Sequence, residues 1–167
     1  MLRARQTAKA VARRHAQVTK LGVPWKPQIT PRLYEILTPG DGLEAAHLDK
    51  VGWERLYTLS AEKNAAGELA PGDVPYEEFH DVVARVEEAI RWARSKYKSG
   101  HVVFVSHGDC VLSARMIARS LPSTLKARAD NRPALYMPTA SIVTLLVSAE
   151  GDISEENLWS PTDSTLR

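Results

Sequence analysis

His101-Val102-Val103-Phe104-Val105-Ser106-His107-Gly108-Asp109 is the stretch that decides the fold. Residues 101–105 form a short apolar run of β-branched and aromatic side chains, the composition of a strand buried on both faces. Ser99-Gly100 stops the helix before it, and a helix over about 111–121 follows, so Ser106 to Asp109 falls on a strand-to-helix turn. Ligands of α/β proteins bind beyond the carboxyl ends of such strands, and the free amides of the next helix attract phosphate. His107 is therefore the first candidate for chemistry, preferred to the reading of a hydrogen-bonded turn residue because glycine follows it in a strand-turn-helix setting.

Working outward, the residues before this stretch predict a helix from about 77 to 97, because Val82, Val83, Val86, Ile90, Ala93 and Tyr97 make an apolar stripe and Glu87 sits four residues before Arg91. A second helix is expected over 43–59, an exposed loop over 64–75, and a first helix over 2–20, where Ala is frequent and Pro absent. Prolines 24, 27 and 31 make the segment from 23 to 31 extended. After the central stretch, residues 141–147 read as another strand ending at a turn around Gly151-Asp152, and the tail beyond Asn157 reads as polar and irregular. Strands alternating with helices of this length point to a layered α/β sheet in one compact domain, 1–167.

Composition narrows the function classes. A single cysteine, Cys110, rules out an intrachain disulfide and a Cys-rich metal site, and it fits a reducing compartment. No apolar run reaches the roughly 18–20 residues that a membrane-spanning helix needs. The net charge of +2 conceals an asymmetry: eight of the 22 Lys and Arg, and none of the 20 acids, lie in residues 1–32. Such a block marks a nucleic-acid patch, an organelle-targeting peptide, or a helix whose arginines hold phosphate. Nucleic acid is the weakest of these readings, because the rest of the chain is net acidic and its aromatics do not interleave with basic residues.

Three segments, in order, carry a resemblance: Arg3-Ala4-Arg5-Gln6-Thr7-Ala8, Leu33-Tyr34-Glu35 and Val103-Phe104-Val105-Ser106-His107-Gly108. They resemble the R-A-x-x-T-A helix start, the L-x-E before a glycine loop, and the strand followed by S/T-H-G of the histidine phosphatase superfamily of phosphoglycerate mutase relatives. The long helix around Arg85 and the strand after Pro138-Thr139-Ala140-Ser141 fit the same pattern. The resemblance implies a three-layer α/β/α sandwich with a mainly parallel sheet, and phosphomonoester hydrolysis or phosphoryl transfer through a phosphohistidine, without metal or cofactor. It implies that His107 stabilises the transferring phosphoryl group, that Arg3 clamps its oxygens with paired donors, and that Gly108 belongs to the phosphate-binding turn. Glu35 would be the catalytic proton donor to the leaving oxygen, with Glu44 as the runner-up. The implied ligand is a phosphorylated small molecule or a phosphoprotein, with neither nucleic acid nor membrane as a partner.

The family's nucleophilic histidine lies in an R-H-G triplet after a first strand, upstream of R-A-x-x-T-A, and these residues contain no such triplet. His15, in Arg14-His15-Ala16, follows the helix motif instead of preceding it and sits in an expected helix, so it does not take that part. Cys110 invites a thiolate reading, but a cysteine at a helix start is more commonly packing. The expectations are therefore an N-terminally truncated, impaired phosphatase or, alternatively, a catalytically dead scaffold that binds a phosphorylated ligand or a protein. A cytoplasmic location goes with both; the alternative is a mitochondrial presequence over residues 1–20.

Overall fold

In the computed structural model, residues 2–20, 26–36, 62, 66–67, 77–97 and 99–161 are described. The chain divides into two compact units, one formed by residues 1–35 and 79–167, the other by 36–78. In the second unit Ile36 is buried, Glu62 and Ala66 are helical, and Gly67 adopts a left-handed φ of 68°. The helix expected over 43–59, the loop at 39–42, Glu44 and most of the loop expected over 64–75 lie outside the described residues.

The first unit is built on helices. α1 spans Leu2–Thr19 as expected, an alanine-rich segment that buries Ala12 and Ala16. A short 3-10 turn follows at Pro31–Leu33, begun by Thr30, whose side chain accepts from the Arg32 amide, and by proline in the first helical position. α2, Phe79–Lys96, buries Val82, Val86, Ile90 and Ala93 of the expected stripe together with Phe79 and Ala89, while Val83 is only half-buried and Tyr97, just past the helix end, is exposed. α3, Gly108–Ala118, packs on α2 with Cys110, Leu112, Ser113 and Met116. α4, Leu125–Leu135, was not foreseen; Thr124 caps it by accepting from the Ala127 amide.

The expected strand near 141–147 is present as β1, Ile142–Val147, and pairs antiparallel with β2, Ile153–Trp159. Ser148 organises the turn between them, its hydroxyl accepting from the amides of Glu150, Gly151 and Asp152, and Gly151 supplies a φ of 106° that a side chain would resist. β2 corrects the reading of the tail beyond Asn157 as irregular, since Leu158 and Trp159 complete the ladder.

The central stretch also differs from its reading. Residues 101–107 run outside any strand, and Val103 is 59 % exposed. A strand is defined by a neighbouring backbone as much as by its own composition. Among the described residues the single ladder is the β1–β2 hairpin, and it leaves 101–105 without a partner. The described residues thus show helices with a two-stranded antiparallel sheet, an arrangement consistent with an α/β fold.

Candidate functional site

Helix α3 begins three residues earlier than its sequence suggests, which makes His107 its N-cap. The first amides of a helix have no partner within it, and the His107 side chain does not cap them. The amino terminus of α3 therefore places N–H donors that have no partner among the described residues, and the positive end of the helix dipole, next to an imidazole.

Glu35 comes to the same place through a chain of backbone captures. Three successive carbonyls of the segment ending at Glu35 accept from three side chains: Arg32 O from Arg85 Nη1 at 2.9 Å, Leu33 O from Ser106 Oγ at 2.7 Å, and Tyr34 O from Cys110 Sγ at 2.9 Å. Arg32 adds an ion pair to Glu88 of α2 at 2.6 Å. Buried carbonyls seek donors, and here α2, the turn before α3 and the first turn of α3 each supply one. Glu35 Oε2 thus stands 3.4 Å from His107 Nδ1.

The electrostatics are those of a cationic niche. The pKa of His107 is held below its ordinary value, first by burial and then by the positive charges of the chain's amino terminus, Arg3 and Arg85, in spite of the nearby Glu35 carboxylate. A 3.4 Å separation is long for a charge-assisted hydrogen bond, so burial and these three positive charges set the direction. The lowered pKa favours the neutral imidazole near neutral pH. Arg3, exposed in the first turn of α1, reaches the site through its charge.

Cys110 is not poised as a nucleophile. Its thiol is buried and donates to Tyr34 O, and burial pushes its pKa up against the lowering influence of Ser106 and Arg85. Its part is to hold the Glu35 segment. His15 lies within α1, as its sequence context implies.

The structure brings His107, Gly108 and Glu35 together, with Arg3 within electrostatic reach. It also places Arg85 and Ser106 in the site as holders of the 32–35 segment, and Tyr136 against Gly108. Ser106 and Arg85 were visible in the motifs, but their carbonyl partners are 73 and 53 residues away, and no local spacing announces such contacts.

Comparison with protein-family models matches residues 1–155 to the histidine phosphatase superfamily, branch 1. Comparison with curated proteins and with solved structures gave no match.

Proposed function

Because the chain belongs to the histidine phosphatase superfamily (branch 1), we propose that the His107–Glu35 niche binds the phosphoryl group of a phosphomonoester and serves its hydrolysis or transfer. The observation that carries this reading is the meeting of an imidazole, a carboxylate and open helix amides in one place, with two arginine charges bearing on it. The amides at Gly108 and the Arg3 guanidinium attract the phosphoryl oxygens. His107, protonated when the dianion arrives, donates to one of them and stabilises the charge that grows during transfer. Glu35, when protonated, delivers its proton to the leaving oxygen.

In the superfamily the phosphoryl group passes through a histidine of an R-H-G triplet, and residues 1–167 do not contain one. Removing such a nucleophile costs several orders of magnitude in rate. The present residues are thus the phosphate-binding and proton-donating half of the site. For the fold, the family assignment supports a three-layer sandwich with a mainly parallel sheet. The ligand is a phosphorylated small molecule or phosphoprotein, no metal or cofactor is called on, and the compartment is the cytoplasm.

Titration of the chain with inorganic phosphate tests the reading. Saturable binding that weakens at least about tenfold in His107→Gln is expected, the scale of one charged hydrogen bond; no saturable binding refutes it. The missing triplet favours a second reading, a scaffold that binds without turnover. Intact mass of the protein from its own cells separates the two: a longer species that turns over p-nitrophenyl phosphate supports the enzyme, and a species of 167 residues that binds phosphate without turnover supports the scaffold.

A further inference from the structure

Tyr136 is a half-exposed phenol in an unusually constrained place. The buried guanidinium of Arg115 fixes the residues on both sides of it: Nη1 donates to Leu135 O at 2.6 Å and lies 3.1 Å from Met137 Sδ. The same guanidinium is held by Glu155 of β2, Nε to Oε2 at 2.9 Å and Nη2 to Oε1 at 3.0 Å. At the other end of α4, Arg128 donates from Nε and Nη2 to Asp109 Oδ1 at 2.9 and 2.7 Å, in the first turn of α3. Helix α4 is therefore tied to α3 at both ends, and Tyr136, leaving that helix with φ −71° and ψ 129°, has little freedom of position.

From there its ring reaches over Gly108. A Cβ built on Gly108 would run into Tyr136 Oη and Cζ and would lie 2.9 Å from Cε2. Gly108 is thus required for space and not for its backbone angles, and what fills the space is a phenol. The hydroxyl makes no hydrogen bond to any described residue, although it sits one residue from His107 at the open amino terminus of α3. On the ring lies the guanidinium of Arg132, 4.5 Å from the centroid, adding a cation beside the phenol.

We infer that Tyr136 is a ligand-contacting residue of the site, its hydroxyl donating to an oxygen of a phosphoryl group seated between His107 and the first amides of α3. This rests on the phosphate-binding reading above. It assigns to Gly108 a second duty, that of admitting the phenol, and it gives the anion a donor from an element, α4, that the motifs do not include. A ring that merely packed on Gly108 would serve as well without its oxygen, and this difference is open to experiment.

Inorganic phosphate is titrated into the wild-type chain and into Tyr136→Phe, which keeps the ring and removes only the hydroxyl. The expected result is a loss of affinity of about tenfold, the scale of a hydrogen bond to a charged group, with an unchanged urea midpoint. In protein carrying ¹³C at tyrosine Cζ, the resonance missing from Tyr136→Phe should move when phosphate saturates the wild type. Wild-type binding with equal affinity in Tyr136→Phe and a stationary resonance overturns the inference and leaves the phosphate site standing. Absence of saturable binding to the wild type overturns the site and the inference with it.

Discussion

At His107 the direction of the pKa shift makes a prediction whose sign can be worked out. Its folded pKa lies below the ordinary 6.5, so as pH falls through that region the unfolded chain takes up a proton before the folded one does. The stability this group contributes is complete above about 6.5 and is lost as pH falls through the folded value. A bound phosphoryl dianion reverses the preference by favouring the imidazolium. Binding of phosphate near neutral pH should therefore take up a proton, detectable as a dependence of the calorimetric heat on the ionisation enthalpy of the buffer. His107→Gln should lose that dependence; its persistence in the variant would place the proton elsewhere. Ser106→Ala removes one of the three carbonyl captures behind Glu35 and should cost about 1 kcal/mol in urea unfolding. His107 and Glu35 could be picked out from their neighbours in the chain, because a turn histidine after an apolar run and a carboxylate before a glycine loop are local patterns. The captures by Arg85, Ser106 and Cys110 could not, since each joins residues brought together only by packing.

At the scale of elements, Arg115 joins α3 to β2 and to the end of α4. It is 3 % exposed, and Arg115→Ala leaves Glu155 with only its outer partner, Arg119. A loss of about 3–5 kcal/mol is expected in urea unfolding, as for other buried pairs that lose one member. Arg119, 47 % exposed, should cost less than about 1 kcal/mol when changed to Ala. Equal effects would mean that burial does not govern this network. The same contrast explains which elements could be read from the chain. α2 and β1 carry their periodicity on their faces, stripe in one and β-branched run in the other. α4 has Pro133 inside it and no apolar stripe, so it depends on the Thr124 cap and the Arg128–Asp109 tie. β2 carries Ser154, Glu155, Glu156 and Asn157, poor strand formers, and is held by its turn and by Glu155.

For the whole molecule, the apolar run that reads as a central strand has little support from the described residues around it. None of residues 101–105 makes a backbone hydrogen bond within the described structure, while α2 buries six side chains along its length. Amide exchange should register this as fast exchange at 102–105 beside slow exchange in the middle of α2. Protection at 102–105 equal to that of α2 would show a pairing partner in solution.

Cys110 gives the molecule a clock of its own. It is the single thiol in 167 residues, and its sulfur is sealed under the Tyr34 carbonyl and the Arg85 guanidinium. An alkylating reagent can reach it only when the 32–35 segment lifts from α3, so each gain of one label in the mass spectrum timestamps one such lifting. Phosphate that bridges His107 and the start of α3 should slow that clock, and the retardation would count openings of the very seam that presents Glu35.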